Sequence, residues 1–337
     1  MQVLYRINIS INLDIDIYRC LCYYSYYPMA DSLKIFKALA DETRLRMVRL
    51  LVWGPLNVNE IIGILSMGQS RVSRHLRILA EANLVTSRRE GTWIYYQSSG
   101  GQGVDPLVVD VLDLLQRHES SLANYAEDLQ GIEAIVERRR EQTRTFFNSI
   151  KDPGELQDHC LNGSVYRKIA LELLPEHTEK ALDMGTGAGL LLPELLKRIE
   201  RVVAIDSSTT MLDMARKAVG KEAVRCEFRL GDLGHLPVAD EEVDLVVACM
   251  VLHHLSNPED TIREAYRALR PGGRLVVVDL HRHEDEAFRE SMADLWLGFP
   301  PAEVRAWMES SEFEVTGAEI VGGSDFLKII TFQGLKK

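Results

Sequence analysis

The apolar and polar positions of the chain divide it into two unlike halves. In the front half the repeat is helical. Leu33, Phe36, Leu39 and Ala40 recur at helical spacing across Ser32 to Ala40. Asp41 is placed to cap a second helix carrying Leu45, Val48, Leu51 and Val52, which Gly54-Pro55 stops. Asn57 followed by Glu60 has the spacing of a capping box and opens a third, short helix with Ile61, Ile64 and Leu65 inward. A tight turn at Met67-Gly68 leads into a fourth helix, Gln69 to Ala82. Strand patterns at Leu84 to Arg89 and Trp93 to Tyr96, joined by a turn at Glu90-Gly91, predict a hairpin. After the Ser/Gly-rich break Ser98 to Gly103, Val104 to Ile150 reads as helix, with Leu107, Val111, Leu114 and Leu115 apolar. Asp152-Pro153-Gly154 ends it.

From Lys180 onward, strand and helix patterns alternate. The strands are Ala181–Met184, Val202–Asp206, Cys226–Leu230, Leu245–Met250 and Arg274–Asp279, followed by a pair, Phe313–Val321 and Leu327–Gln333, that predicts a terminal antiparallel hairpin on the sheet edge. The fold expected is thus an N-terminal α+β winged helix-turn-helix followed by a C-terminal doubly wound, Rossmann-like α/β sheet. The expected divisions are a leader at 1–28, a winged helix at 29–100, a helical connector at 101–150 and an α/β domain at 151–337. In the leader, Ile7, Ile9, Ile11, Leu13, Ile15 and Ile17 alternate as in a strand with no evident partner. Asp14 and Asp16 interrupt any signal-peptide core, and Met29 stands directly before a well-formed helical pattern. The expectation is a false start or a non-native or disordered leader.

Charge changes this picture. The net charge of −11 argues at first against nucleic acid. From Met29 to Gly100, however, ten Lys and Arg face six Asp and Glu, residues 1–28 cancel, and the remainder is −15. A basic front on an acidic body suits a protein that touches DNA with one domain. No run of about 18 apolar residues exists, so no membrane helix is expected. The five cysteines, Cys20, Cys22, Cys160, Cys226 and Cys249, are odd in number and scattered, which suits a reducing cytoplasm.

The fourth helix has an apolar stripe of Val72, Leu76, Leu79 and Ala80. On another face Ser70, Ser73, Arg74 and Arg77 fall at i, i+3, i+4 and i+7. Ser and Arg on the second helix of a helix-turn-helix suit the DNA major groove. The candidate DNA contacts are Gln69, Ser70, Arg71, Ser73, Arg74, His75 and Arg77, with Arg88 and Arg89 of the hairpin reaching phosphates. The segments LADETRLRMVRLL, GQSRVSRHLRILAEANLV and RREGTWIYY resemble the ArsR/SmtB family of winged-helix repressors from about Asp31 to Gln97. One departure is Gly68, where relatives often carry a Ser cap. The resemblance implies a homodimer and a roughly palindromic double-stranded operator. Metal sensing at the family's positions is not expected. Val58 to Leu65 has no Cys or His, and the later helix offers only His118 with Asp110, Asp113 and Glu119. Arg138, Arg139, Arg140 and Arg144, interspersed with Glu137 and Glu141, read as a solvated helix face.

In the back half, ALDMGTGAGLLLPELL places Gly185, Gly187 and Gly189 at a strand-to-helix turn where backbone approaches a ligand closely. The spacing is G-x-G-x-G with Asp183 two residues ahead. A pyrophosphate disfavours that neighbour, whereas an ammonium-bearing amino acid moiety tolerates it. Asp206 ends the second strand, where a carboxylate accepts ribose hydroxyls, and Asp232 follows the third, placed for an adenine amine. With VDLVVACMVLHHL and LRPGGRLVVVDL, these motifs resemble class I methyltransferases of the small-molecule type from about Gly163 to Gln333. The resemblance implies S-adenosylmethionine or S-adenosylhomocysteine as ligand. His254 and His281, near the ends of adjacent strands, are the candidate general bases. His281, His283, Glu284 and Asp285 read as a solvated loop rather than a metal site. Cys249 to His254 lacks the motifs of DNA methyltransferases. Arsenite methylation needs several thiols and finds only Cys160, Cys226 and Cys249, with Cys226 inside a strand.

The whole chain resembles fused ArsR-type regulators carrying a methyltransferase domain. The leading reading is a dimeric repressor whose DNA affinity depends on the adenosyl ligand; sensing and catalysis need the same cofactor site, and the methyl acceptor is unknown. The alternative is an active small-molecule methyltransferase that regulates its own operon. A third keeps the winged helix only for dimerisation, against which the Arg and Ser of the recognition face count.

Overall fold

The computed structural model describes residues 32–100, 104–152, 154, 163–322 and 327–337; the leader at 1–28 lies outside them. The front half folds as α1 (Ser32–Leu39), α2 (Glu42–Val52), β1 (Leu56–Asn57), α3 (Val58–Leu65), α4 (Gln69–Glu81), β2 (Val85–Glu90) and β3 (Trp93–Ser98). The capping residues act as their sequence dictates. Asp41 Oδ1 accepts the Arg44 N–H at 3.0 Å. Asn57 and Glu60 form the reciprocal capping box, with both hydrogen bonds present. Gly68 caps α4 without a side-chain hydrogen bond. β1, β3 and β2 make an antiparallel three-stranded sheet.

The helix expected from Val104 to Ile150 is in fact two. α5 (Pro106–Arg117) and α6 (Tyr125–Ser149) are separated by a 3₁₀ turn at Glu119–Ser121, an extended Leu122 and a left-handed Asn124. The cause is Arg49 of α2. Its buried guanidinium donates to the carbonyls of Glu119 and Ala123, which a continuous helix would have used itself, and to that of Asn124, which also accepts the Asp128 N–H in the first turn of α6. Arg49 and Arg46 then meet Asp128 at the start of α6, with Arg46 Nη2 2.7 Å from it. Ile132 and Ile135 of α6, and Val108, Val111 and Leu112 of α5, join the core of the helix-turn-helix.

The back half contributes α7 (Gly163–Glu172), β4 (Thr178–Met184), α8 (Leu192–Leu195), β5 (Ile199–Asp206), α9 (Thr209–Val219), β6 (Cys226–Leu230), β7 (Val243–Cys249), α10 (Pro258–Ala268), β8 (Leu269–Leu280), α11 (Ala287–Met292), α12 (Pro301–Ser310), β9 (Glu314–Val321) and β10 (Ile329–Leu335). The sheet order is β6-β5-β4-β7-β8-β10-β9. It is parallel except for β10, which runs antiparallel to both neighbours, so the terminal hairpin closes the edge as expected. Continuous apolar runs such as Leu182, Val203, Val246 and Val277 are buried because helices cover both faces. The order reverses at β4, so a crevice opens beyond the ends of β4 and β7.

The hairpin β2–β3 packs on the α/β domain. Tyr95 stacks edge-on against Trp296, 5.0 Å between centroids, within that domain's core. Glu90, expected in the turn, is instead buried at 1% exposure. Its carboxylate accepts the Leu297 N–H at 3.0 Å and pairs with Arg88 at 2.6 Å. Removing Glu90 leaves the buried Leu297 N–H without its acceptor and Arg88 with Glu303 as its remaining carboxylate, at a cost of about 1–3 kcal/mol. Glu90→Ala is therefore expected to lower stability by about that amount, and Arg89→Ala, on an exposed side chain, by less than about 0.5 kcal/mol. Urea denaturation of the two variants would check the contrast.

Candidate functional site

Two separate surfaces carry the chemistry. The first is α4. Gln69, Ser70, Arg71, Ser73, Arg74 and Arg77 are exposed along one face, opposite buried Val72, Leu76 and Leu79. His75 is half-buried, 3.9 Å from Asp41, and burial lowers its pKa. The hairpin departs from expectation at Arg88. Its side chain points away from solvent into Glu303 (2.7 Å) and Glu90, and its guanidinium lies 4.7 Å over the Trp296 ring. Arg88 is thus committed within the protein and unavailable to phosphate in this conformation. Arg89 remains exposed, donating to the Gly91 carbonyl at 2.9 Å.

The second is a cavity of about 770 Å³ at the crevice beyond β4 and β7. Asp183, Gly185, Gly187, Asp206, Asp232 and His254 line it. The glycine turn is required by geometry. Gly185, Gly187 and Gly189 have φ of +74°, +51° and +73°. A Cβ on Gly185 would stand 2.3 Å from Val251 Cγ2, and one on Gly189 2.6 Å from the Ala215 Cα. A Cβ on Gly187 would meet nothing within 4 Å, so its face is open to the cavity. Asp206 Oδ2 accepts the Gly187 N–H at 2.8 Å and Oδ1 the Ser208 N–H at 2.9 Å. Burial pushes its carboxyl up. Asp183 lies beneath the turn, accepting the Thr186 hydroxyl at 2.6 Å, and burial raises its pKa to about 6.

Asp232 is already paired. Its Oδ1 accepts the Gly234 N–H at 2.6 Å and its Oδ2 lies 2.9 Å from Arg140 Nε, on α6. The basic segment of α6, expected as a solvated face, is solvated at Arg138 and partly so at Arg140 and Arg144, and departs from expectation at Arg139. Arg139 is buried against Glu60 of the capping box at 2.6 Å, and Arg140 reaches the cavity. Asn148, near the end of α6, accepts the Ser208 hydroxyl at 2.6 Å. Sequence reasoning missed these contacts because residues 60 and 139, or 140 and 232, meet only in the fold.

Of the two candidate bases, only His254 lines the cavity. His281 sits outside it, its Nδ1 3.1 Å from the Arg282 carbonyl. The sequence reading gave no role to His253, Asp279 or Asp294. Burial works against charge on His253, but the carboxylates of Asp279 and Asp294 outweigh it and raise its pKa to about 9. Burial and the neighbouring His253 hold His254 well below its ordinary value.

Residues 41–87 match the model of the arsR family of bacterial regulatory proteins, and residues 182–277 that of a methyltransferase domain. The chain joins an ArsR-type helix-turn-helix to a class I methyltransferase domain. Over 136 residues, 39% of this chain, it is 35% identical to an arsenite methyltransferase from Halobacterium salinarum, spanning 33% of that protein. A ubiquinone/menaquinone biosynthesis C-methyltransferase from a Ruegeria species is 26% identical over 48% of this chain and 68% of its own length. Among solved structures, the N-methyltransferase NodS from Bradyrhizobium japonicum, in complex with S-adenosyl-l-homocysteine, is 19% identical with a TM-score of 0.47, covering 59% of this chain and 98% of that one. No helix among the described residues is long and apolar enough to cross a membrane.

The methyltransferase domain makes Asp183 a pH-sensitive group. The fold favours its protonated form, so its contribution to stability is complete below pH 3.8 and is lost as pH rises through about 6. Asp183→Asn keeps an acceptor for Thr186 without the charge. Stability of the variant relative to the parent is expected to improve by on the order of 3 kcal/mol between pH 3.5 and pH 7, read from denaturation midpoints at each pH.

Proposed function

We propose that the protein is a DNA-binding transcriptional regulator, a repressor, whose methyltransferase domain binds S-adenosylmethionine or S-adenosylhomocysteine and passes its occupancy to the DNA-binding domain. The observation that carries this reading is α6. One helix contributes Ile132 and Ile135 to the helix-turn-helix core and, farther along, Arg140 and Asn148 to the ligand cavity. In this reading the amino acid end of the ligand lies on the open face of Gly187, Asp206 accepts the ribose hydroxyls, and Asp232 accepts the adenine amine. Arg140 competes for Asp232. A ligand that takes Asp232 releases Arg140, and a shift of α6 reaches Glu60 and α3 through Arg139. Unequal ligand affinity of the two α6 positions is the thermodynamic requirement for coupling.

The exposed face of α4 supplies the DNA contacts, with Arg74 and Arg77 toward base edges or phosphates. Phe36, Val109 and Leu114 are large apolar side chains left exposed on α1 and α5. They support a homodimer formed by a second copy across this face and hence a roughly palindromic operator. The alternative, an active small-molecule methyltransferase that regulates its own operon, uses the same cavity and is supported by neutral His254 beside it. An arsenite acceptor has less support. Of the described cysteines only Cys249 lines the cavity, and burial holds both its thiol and that of Cys226 protonated, Cys226 at about 11.

Fluorescence anisotropy of the gene's own upstream DNA, at fixed salt, tests the leading reading. Either adenosyl ligand is expected to shift DNA affinity several-fold; no shift with tight DNA binding would remove the sensor role. Removal of a competing, solvent-screened ion pair changes ligand affinity little. Arg140→Ala is expected to tighten S-adenosylhomocysteine binding about two- to fivefold and to erase the ligand's effect on DNA. Arg74→Ala is expected to weaken DNA binding by about 1–3 kcal/mol.

A further inference from the structure

Asp294 stands out among the buried charges. It is 2% exposed, and neither carboxylate oxygen accepts a hydrogen bond. Asp279, its neighbour across His253, is the opposite case. There Oδ2 accepts the Val251 and Leu252 N–H groups at 3.1 and 2.8 Å, and Oδ1 accepts the Leu280 N–H at 2.8 Å and the His253 Nδ1–H at 2.6 Å. A buried carboxylate without hydrogen bonds is costly unless a cation meets it.

Two histidines face that carboxylate. His253 Nε2 lies 3.7 Å and His254 Nδ1 3.5 Å from the same oxygen, Asp294 Oδ1. All three atoms lie within 4.8 Å of one another. Metal–nitrogen and metal–oxygen bonds of about 2.0–2.2 Å at tetrahedral angles set ligand atoms about 3.3–3.5 Å apart, close to the distances of both nitrogens from Asp294 Oδ1. The arrangement is also fixed in advance. The Leu295 and Trp296 N–H groups both donate to the His253 carbonyl at 3.0 Å, and Trp296 Nε1 donates to the Leu255 carbonyl at 2.7 Å. Asp279 holds His253 through Nδ1 and leaves Nε2 toward Asp294, the carboxylate–histidine orientation that supports metal ligands.

We infer that His253, His254 and Asp294 form a binding site for a divalent transition-metal ion. Two imidazoles and one carboxylate suit zinc or iron(II) over calcium or magnesium. On binding, the ion takes the place of any proton on His253 Nε2, which leaves to solvent, and of the hydrogen that His254 Nδ1 turns toward the Ala293 carbonyl at 3.5 Å, the neutral ring then carrying its proton on Nε2. Both histidines also line the cavity that carries the glycine turn, which places the site at its wall. The site uses none of the residues assigned to the adenosyl ligand, so the inference stands apart from that reading.

The test is equilibrium dialysis of the untagged full chain against zinc, with metal content read by mass spectrometry and S-adenosylhomocysteine binding measured on the same sample. One zinc per chain is expected. Asp294→Asn and His254→Gln are expected to abolish that binding, and Asp279→Asn to weaken it about 10- to 100-fold. Ligand binding by each variant would show that it is folded; near-UV circular dichroism serves the same purpose if the parent itself binds no adenosyl ligand. A parent chain that retains no zinc, or folded Asp294→Asn and His254→Gln variants that retain it as the parent does, would overturn the site, leaving the His253 imidazolium as the counter-ion of Asp294. Zinc binding without ligand binding would instead remove the adenosyl reading and keep the site.

Discussion

Buried ion pairs fix α6 to the helix-turn-helix, and through that helix they set where the ligand cavity has its wall. Asp128 meets Arg46 and Arg49 at its start, and Arg139 meets Glu60 near its middle, all in places largely shielded from water. Such pairs add little net stability compared with apolar packing, but breaking one strands a charge and is expensive. The result is positional. α6 is fixed to the helix-turn-helix at one end while its other end forms a wall of the ligand cavity, so neither domain's site is independent of the helix between them.

The second tie is the hairpin. A DNA-binding wing is ordinarily a solvent-exposed projection, and paired arginines in such a hairpin suggest phosphate contacts. Here Arg88 and Glu90 are drawn into the methyltransferase domain, and Tyr95 joins its core through Trp296. One of the two arginines is spent on the domain contact and the other stays outside. Two residues adjacent in sequence and identical in type thus have opposite fates, decided by residues about two hundred positions away.

Much of this architecture is legible in the sequence. The α/β sheet, the front hairpin, the recognition helix, the caps at Asp41 and Asn57 and the glycine turn follow from local rules: the period of apolar positions, capping spacing, and the need for positive φ beside a ligand. The limit falls where the rule is not local. The break before α6 is imposed by Arg49, whose side chain captures carbonyls seventy residues on. The basic stretch Arg138 to Arg140 has the composition of a solvated face, and only the position of Glu60 turns Arg139 inward and only that of Asp232 draws Arg140 to the cavity. At the cavity, His254 was legible as a strand-end histidine. His281 satisfied the same rule yet falls outside, because β8 runs on to Leu280 before the chain turns. Asp294 carried no signal, since an isolated acidic residue in a short loop has no pattern to betray burial.

The connection between the domains being helical has a further consequence. Each residue in an α-helix turns the chain by about 100°. Between Arg139 and Asn148 a single inserted or deleted residue would swing the cavity-facing side chains out of phase with the core-facing ones while leaving both domains intact. A flexible linker tolerates drift in length; this one conserves phase. Its length is therefore constrained as a gear tooth is, by angular register rather than by reach.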